Sequence, residues 1–254
     1  MYLQTRGLVI REVEYSESDK LLTVLTPEHG ALTLKARGVR RSSSPLKAAC
    51  QLLCYSSFTA SSYQNYYSIT EAEPVEMFLP LRQDLELLSL GAWLAQAAQI
   101  VSEADTPSPE LLQLLLSGLN ALTKGRDQRL VKAAFELRLM CLAGFQPDLS
   151  GCAVCGREDA DGFDVTRGLL CCLKCRDAER GLCLPLDASA LDAMRYCVQA
   201  QPGRLYSFRV PEAALAQLGQ VSETYLIAQF QRSFSALDFY KALFSPLTPA
   251  DGGQ

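Results

Sequence analysis

Histidine is almost absent from this sequence, and the common motifs of hydrolytic and nucleotide-using enzymes are missing. The single histidine, His29, leaves little of the general-base chemistry on which hydrolases depend. The chain contains no G-x-x-x-x-G-K-S/T, G-x-S-x-G, H-E-x-x-H or G-x-G-x-x-G pattern. These absences predict a protein that is not an enzyme and that has no small-molecule substrate.

Long apolar runs are also lacking, which argues against a membrane span. No stretch approaches the roughly 20 uncharged apolar residues that cross a bilayer. The first residues include Arg11, Glu12 and Glu14, where a signal peptide needs an apolar segment. We therefore expect a cytoplasmic protein with no membrane partner and with reduced thiols. With 48% hydrophobic residues, the 254-residue chain is long enough to bury a substantial core.

Acidic residues are missing from one segment, although the chain as a whole carries a net charge of −4. Residues 1–70 contain eight lysine and arginine residues against five acids, and residues 31–70 contain no acid. Such a polarised charge distribution steers an anionic ligand to one end of a protein. The alternative is a solvated strand surface that lacks acids by chance. The cations of the acid-free segment are Lys35, Arg37, Arg40, Arg41 and Lys47.

Residues 1–80 have the pattern of a small β-barrel. Five β-leaning runs predict strands over residues 7–13, 21–26, 31–37, 51–60 and 66–73. Five short strands in about eighty residues suit a closed barrel better than an open sheet with exposed edges. Aromatic residues interleave with the cations, as in proteins that hold single-stranded nucleic acid without reading its sequence. We expect most of these aromatics to fill the barrel; they are Tyr55, Phe58, Tyr63, Tyr66 and Tyr67.

Leucine and alanine recur at helical spacing in the rest of the chain. The pattern predicts helices around residues 85–95 and over 111–122, 129–143, 187–199, 212–229 and 235–244. Four cations near the start of the third helix are expected to be exposed; they are Lys124, Arg126, Arg129 and Lys132. The positive end of the helix dipole would add a favourable field for a carboxylate there. The alternative is a solvated basic edge.

Two C-x-x-C pairs occur in the middle of the chain. With the spacing C-x2-C-x16-C-x2-C, they predict a four-cysteine zinc site made by Cys152, Cys155, Cys172 and Cys175. Four thiolates close the coordination shell, so the metal is expected to be structural. Cys171 is an alternative third ligand, and an iron–sulfur cluster remains open on spacing alone. The remaining cysteines are expected to be small core residues; they are Cys50, Cys54, Cys141, Cys183 and Cys197.

The order of these features resembles the bacterial RecO recombination mediator family. The similar segments run nearly end to end, at residues 5–21, 25–30, 36–41, 142–147, 152–156 and 232–234. The resemblance implies an α+β multidomain fold, in which an N-terminal OB-fold barrel precedes a helical domain with an inserted four-cysteine zinc site. The expected parts are the barrel at 1–80, helices at 81–150, the zinc insert at 151–183 and helices at 184–254.

The resemblance also implies a DNA repair protein that is associated with the nucleoid. Such a protein binds single- and double-stranded DNA and anneals single strands. With its partner RecR, it helps to load the recombinase onto DNA coated by single-strand-binding protein. We expect the five cations of the acid-free segment to bind DNA. The helical domain is expected to dock the acidic tail of single-strand-binding protein through Arg126, Arg129 and Lys132, which we chose from this sequence.

One departure from the family pattern lies in the loop at residues 42–45, where serines replace the usual cations and predict weaker DNA binding. A competing class is a zinc-ribbon nucleic-acid-binding or adaptor protein of transcription or translation. The acids around the cysteines weigh against a ribbon that itself touches nucleic acid; they are Glu158, Asp159, Asp161 and Asp164. A scaffold without DNA contact is a second alternative.

Overall fold

Five strands near the N-terminus close into a barrel. The structure of the protein, a computed structural model, describes residues 2–63, 66–175 and 181–244, with the backbone alone at Tyr63 and Tyr66. The strands are β1 (Tyr2–Glu14), β2 (Lys20–Thr26), β3 (Gly30–Ala36), β4 (Tyr55–Tyr63) and β5 (Tyr66–Glu76). They pair in the order β1-β2-β3-β5-β4, and β4 pairs with β1 to close the ring. Among the barrel strands as the structure describes them, only the β3–β5 pairing is parallel. All five strands overlap the predicted runs, but β1 begins earlier than predicted, at Tyr2, and residues 51–54 form a turn before β4.

Alternate residues of the strands fill the barrel. In β3 the buried positions are every second residue, as one covered face of a strand requires. Phe58 is buried in this barrel core and Tyr67 packs against it, as expected, whereas Tyr55 packs against the helical core. The side chains of Tyr63 and Tyr66 lie outside the described residues. Between β3 and β4 the chain makes a series of turns, from which Val39, Leu46 and Cys50 also enter the barrel core.

Seven helices are found among the described residues, and six of them match the predicted positions. They are α1 (Leu79–Arg82), α2 (Leu85–Val101), α3 (Pro109–Thr123), α4 (Gln128–Leu142), α5 (Ala188–Gln199), α6 (Glu212–Phe230) and α7 (Ser235–Phe244). The short α1 lacks a predicted counterpart. Aspartates at positions 84, 127 and 187 accept backbone N–H bonds at the starts of α2, α4 and α5, which fixes where these helices begin. Helix α4 is central, because it packs against α2, α3, α5 and α6. None of the described helices is long and apolar enough to cross a membrane.

The barrel is joined to the helices at the turn between β2 and β3. Ala31 N–H donates to Glu103 O at 3.1 Å, and Asp105 N–H donates to His29 O at 3.0 Å. Gly30 has a φ of +59°, and a Cβ atom there would lie 2.1 Å from Glu103 O. Both the backbone conformation and the close approach therefore require glycine. Barrel residues also belong to the helical core, so the two parts share one packed interior; they include Leu8, Leu25 and Leu53.

A small sheet interrupts the helical body between α4 and α5. Its strands are β6 (Gly162–Asp164), β7 (Leu169–Cys171) and β8 (Cys183–Pro185), with β6 in the centre. At three residues each, these strands are too short to show a periodicity in the sequence. They lie around the predicted metal-binding cysteines and determine where those cysteines point.

Candidate metal centre and basic surfaces

Four cysteine sulfurs meet beside the small sheet. The Sγ atoms lie within 4.8 Å of one another and belong to Cys152, Cys155, Cys172 and Cys175. Four thiolates at this separation are the donor set of a closed tetrahedral zinc site. The structure thus brings the predicted ligand set together, and the cluster could hold one metal ion.

Each C-x-x-C pair lies on a tight turn held by its own backbone. Gly156 N–H donates to Cys152 O at 2.8 Å, and Cys175 N–H donates to Cys172 O at 2.9 Å. Gly156 has a φ of +74°, a left-handed conformation that glycine adopts at little cost. The turns are connected directly, because Cys172 N–H donates to Cys152 Sγ at 3.2 Å. Both turns therefore aim two sulfurs at one point.

The cluster favours one thiolate and resists further ionisation. Burial disfavours the Cys152 thiolate, but several backbone N–H groups around the sulfur outweigh this effect and lower the pKa of Cys152 to about 6. Burial and hydrogen bonds with neighbouring sulfurs raise the pKa of Cys172 to about 12. A bound cation at the centre would supply the charge needed for all four sulfurs to ionise together.

Cys171 and Cys172 are neighbours on the chain but face different partners. Cys172 joins the cluster, whereas Cys171 forms a disulfide with Cys183 across the small sheet. Cys171 ends β7 and Cys172 follows it, and only the Cys172 sulfur reaches the cluster. The structure selects Cys172, the ligand that the spacing favours. The expectations that Cys183 is a small core residue and that the thiols are reduced are wrong in this structure, because Cys183 is half-buried and disulfide-bonded.

Two contacts from the helices anchor the cysteine-bearing segment. The buried ring of Phe163 in β6 packs edge-on against Tyr225 of α6, with ring centres 5.3 Å apart. Arg195 of α5 donates to Leu149 O at 3.1 Å and to Glu158 O at 2.7 Å, and so spans the first cysteine turn. The sequence offers no signal for Arg195, because its acceptors are backbone carbonyls on a distant segment.

Two of the five predicted DNA-binding cations are already paired within the barrel. Lys35 Nζ lies 3.3 Å from Asp19 Oδ2 and 4.5 Å from the centre of the Tyr15 ring. Arg40 Nη2 lies 3.1 Å from Glu14 Oε1. Both pairs are partly exposed, so water weakens them and a phosphate can compete with the carboxylates.

Asp19 holds the loop on which the remaining cations lie. Its Oδ1 accepts Gly38 N–H at 2.9 Å. This backbone bond, followed by the hydrogen bond and charge of Lys35, lowers the pKa of the Asp19 carboxyl despite partial burial. Three exposed cations on or after the loop form no ion pair with any residue that the structure describes; they are Arg37, Arg41 and Lys47.

A cavity of about 340 Å³ beside the loop brings in one cation that the sequence analysis missed. Lys20, Arg40 and Lys47 line it together with Glu14. Lys20 bonds to Glu12 at 2.9 Å. It lies outside the acid-free segment, which explains why the charge distribution gave no reason to select it. Three cations around one opening offer a position for a phosphate group.

An open groove of about 850 Å³ in the helical body is lined by all three predicted tail-binding residues. Arg126, Arg129 and Lys132 line one part of it. Its apolar wall comes from α2, α3, α6 and α7, and includes Leu87, Leu122, Leu215, Tyr240 and Phe244. Cations beside an apolar wall are the combination that an acidic peptide with an aromatic end requires.

Lys132 is buried in this groove, so its expected exposure is wrong. Only 7% of its surface is accessible, because two carboxylates draw the ammonium inward. Its Nζ lies 2.7 Å from Glu136 and 2.8 Å from Glu223. Glu136 is fully buried and also accepts bonds from Trp93 Nε1 at 3.0 Å and from Ser222 Oγ at 2.7 Å. Lys132 therefore belongs to a buried polar network at the base of the groove.

The other two groove cations differ in how they are paired. Arg129 is exposed but lies 3.0 Å from Asp127 and 3.0 Å from Glu212. Asp127 also accepts Arg129 N–H at 2.9 Å. The start of α4, which was expected to attract a ligand carboxylate, is therefore already capped by the carboxylate of Asp127. Arg126 is exposed and makes no ion pair within the described part of the chain.

The chain combines an N-terminal β-barrel, which has a basic loop, with a helical body that carries a four-cysteine cluster. This is a two-part protein with a basic barrel and a candidate metal centre. Residues 1–78 match the family model described as "Recombination protein O N terminal", and residues 82–238 match "Recombination protein O C terminal". The chain therefore belongs to the RecO family of DNA repair proteins.

Individual relatives agree with this assignment along nearly the whole chain. Identity is 34% over 245 residues with the DNA repair protein RecO of Acetivibrio thermocellus, which covers 95% of this chain and 97% of that protein. It is 28% over 228 residues with the protein of the same name from Bacillus pumilus, covering 89% and 88%. It is 27% over 247 residues with that of Alkaliphilus metalliredigens, covering 96% and 100%.

Proposed function

We propose that this DNA repair protein binds single-stranded DNA on its barrel and anneals complementary strands. The observation that carries the proposal is a group of exposed cations on and after one loop of the barrel that have no ion-pair partner among the described residues: Arg37, Arg41 and Lys47. The barrel itself is proposed to be an OB-fold, a five-stranded architecture that commonly binds oligonucleotides. Lys35 and Arg40 join the surface when phosphates displace their carboxylate partners, and the annealed duplex stays on the same surface.

The salt dependence of DNA binding tests this surface. Each phosphate contact with a single strand contributes a slope of about −0.7 to log K against log salt concentration. Replacing the three exposed cations together by alanine should therefore reduce the slope by about 2 and weaken binding at low salt. A matched control removes three exposed cations from the helical body: Lys124, Arg204 and Arg209. An unchanged slope in the barrel variant, or an equal loss in the control, would place the DNA elsewhere.

We further propose that the cysteine cluster binds one structural zinc ion. The support is the four convergent sulfurs, because four thiolates fill a tetrahedral coordination shell and leave no position on the metal for a substrate. The zinc content of the purified protein should be one per chain and should fall in Cys172→Ser. Cys171→Ser, which changes the neighbouring sulfur, should keep its zinc. Visible absorption from iron and sulfide, or zinc loss only in Cys171→Ser, would contradict the assignment.

The groove of the helical body is proposed to dock the acidic tail of single-strand-binding protein. Arg126 is its primary anchor, because it is exposed and has no ion-pair partner among the described residues. Arg129 binds the tail after exchanging Glu212 for a tail carboxylate, while Lys132 stays in the base of the groove. Fluorescence anisotropy with a tail peptide should show weaker binding to Arg126→Ala and Arg129→Ala, and no change for Lys124→Ala. Tail binding that survives both changes would exclude the groove.

Cooperation with RecR is proposed from family membership, and with it the loading of the recombinase on coated DNA. The division into a barrel at 1–80, helices at 81–150 and 184–254, and an insert at 151–183 is proposed as the functional organisation. Annealing of oligonucleotides precoated with single-strand-binding protein, with and without RecR, tests this role. Failure to anneal coated strands that the protein anneals when bare would argue against it.

A further inference from the structure

Two cysteines beside the four-cysteine cluster have no part in the proposed DNA or zinc binding. Cys171 and Cys183 form a disulfide between β7 and β8. These strands do not pair with each other, because each pairs with an opposite edge of β6. The disulfide therefore crosses over the central strand and connects the outer strands of the sheet.

The central strand has a glycine where the disulfide crosses. Gly162 pairs with Cys171 in the β6–β7 ladder. A Cβ atom at Gly162 would lie only 2.8 Å from Cys183 Sγ and 3.0 Å from Cys171 O. A larger side chain here would have to displace the sulfur. The absence of a side chain at this position is what allows the two sulfurs to meet.

Among the described residues, one side of the disulfide borders a cavity. A cavity of about 270 Å³ is lined by both cysteines, and Arg167 and Asp164 also border it. Cys183 is half-buried, whereas Cys171 retains only 8% of its surface. Cys183 is consequently the sulfur that an external thiol or disulfide meets first. Buried cysteines such as Cys197, which is fully buried, lack this access.

The six cysteines of this region form two separate groups. Four belong to the cluster, and the other two form the disulfide. The cluster contains Cys172, the first residue after β7, but not Cys171, the last residue of that strand. The second ligand turn begins directly after β7, so whatever holds β7 also holds that turn. The disulfide connects β7 to β8 directly, in addition to their connection along the chain.

We propose that Cys171 and Cys183 are a reversible redox modification site, oxidised by small disulfides of the glutathione class and distinct from the metal ligands. The Cys183 thiolate attacks the small disulfide, forming a mixed disulfide and releasing one small thiol. The Cys171 thiolate then attacks the Cys183 sulfur, closing the protein disulfide and releasing the second thiol. Two electrons and two protons pass from the cysteine pair to the small disulfide. Oxidation fixes β7 and so retains the metal at the adjacent turn.

Thiol trapping across a series of redox buffers tests the pair directly. The full-length protein is equilibrated with graded ratios of reduced to oxidised glutathione, quenched in acid and alkylated, and its peptides are analysed by mass spectrometry. Cys171 and Cys183 should lose alkylation together in one two-electron transition and appear as a linked peptide. The labelling of Cys197 should stay constant. Independent labelling of the two cysteines, or alkylation of both at every ratio, would overturn the proposal.

Two variants separate a specific effect from misfolding. Gly162→Ala should raise the ratio of dithiol to disulfide at least tenfold at a fixed buffer, which is a shift of about 30 mV for a two-electron couple. Cys183→Ser should leave Cys171 alkylated in every buffer while the Trp93 fluorescence remains that of the folded protein. A linked Cys171 peptide in Cys183→Ser would show a different partner and refute the pair.

The expected effect of the disulfide on metal retention rests on the proposed zinc site. It is tested by a separate measurement. Zinc release to a colorimetric chelator should be at least threefold slower from the oxidised protein than from the reduced protein. Cys183→Ser should release zinc at the reduced rate in both buffers, and Cys197→Ser should behave as the unmodified protein. Equal release rates would refute the coupling to the metal. Because thiol trapping needs neither zinc nor DNA, its result distinguishes failure of the redox site from failure of the proposed function.

Discussion

Replacing Lys132 by methionine should strongly destabilise the helical body. The substitution keeps most of the length of the unbranched side chain but leaves the Glu136 carboxylate, which is fully buried, without its cation. Removing one partner of a buried ion pair typically costs about 3–5 kcal/mol. A protein of this size loses about 2–4 °C of melting temperature per kcal/mol. The expected decrease in Tm is therefore about 6–20 °C.

The only tryptophan of the chain reports on this network. Trp93 Nε1 donates to Glu136 at 3.0 Å, so urea unfolding followed by its fluorescence measures the affected region. Adding Glu136→Gln to Lys132→Met removes the uncompensated charge and should restore at least about 1 kcal/mol of the lost stability. Lys124→Met, at an exposed position, should stay within about 0.5 kcal/mol of the original protein. A loss below about 1 kcal/mol in Lys132→Met, or no recovery in the double variant, would refute the reasoning.

The same network predicts a pH window for its contribution. Burial alone would raise the pKa of Glu223, but the charge and hydrogen bonds of Lys132 and Lys241 outweigh it and lower that pKa below 4.5. Burial would lower the pKa of Lys132, but Glu136 and Glu223 outweigh it and raise that pKa above 10.5. A lowered carboxyl pKa stabilises the folded state above the unfolded pKa, and a raised lysine pKa does so below it. The stability difference between the original protein and Lys132→Met should thus be largest between about pH 4.5 and 10.5.

Three further outcomes follow from other contacts. Gly30→Ala should destabilise the protein by at least about 1–3 kcal/mol in thermal unfolding, because of its left-handed φ and the nearby Glu103 oxygen; an unchanged Tm would contradict this. Glu212→Gln should bind an acidic tail peptide more tightly in anisotropy, because Arg129 loses a competing carboxylate; unchanged affinity would exclude the exchange. Metal removal by a chelator should increase hydrogen exchange in residues 148–175 while the barrel stays protected; uniform loss of protection would show that the cluster supports the whole fold.

Helices and longer strands could be predicted from the sequence, because their buried positions recur at regular intervals and are occupied by apolar residues. The helix predicted at 235–244 has the observed bounds of α7. The strand predicted at 21–26 differs from β2 only by the first residue, Lys20. The four ligands were also predictable, because C-x-x-C spacing reflects one local turn. By contrast, the three-residue strands of the small sheet are too short to show a periodic pattern in the sequence. The disulfide connects two strands of this sheet, so it could not be predicted without the sheet.

Charge partners were the least predictable feature. Lys132 was expected on the surface because a lysine in the first turns of a helix usually lies there. Its partner Glu223 lies 91 residues further along the chain, so its burial depends on how α4 and α6 pack. The same limitation applies to Lys35. It lies in the acid-free segment and was therefore expected to bind DNA, but it is paired with Asp19 in the structure. Composition identifies where cations are concentrated, and only the fold shows which of them remain unpaired.

Asp19 allows charge and loop positioning to be separated in DNA binding. Asp19→Asn and Asp19→Ala remove the same negative charge and the same ion pair with Lys35, but only asparagine keeps an oxygen to accept Gly38 N–H. If net charge alone governs binding, both variants should bind single-stranded DNA more tightly than the original protein, as should Glu14→Gln, which releases Arg40. If the loop must be held in place, Asp19→Ala should bind more weakly than Asp19→Asn by roughly twofold to tenfold, the worth of one hydrogen bond of about 0.5–1.5 kcal/mol. We expect the second result, measured by anisotropy at two salt concentrations, because the Asp19–Gly38 bond joins the turn after β1 to the loop that carries Arg37 and Arg41. Equal affinities of the two Asp19 variants would show that these cations bind phosphate without a fixed loop.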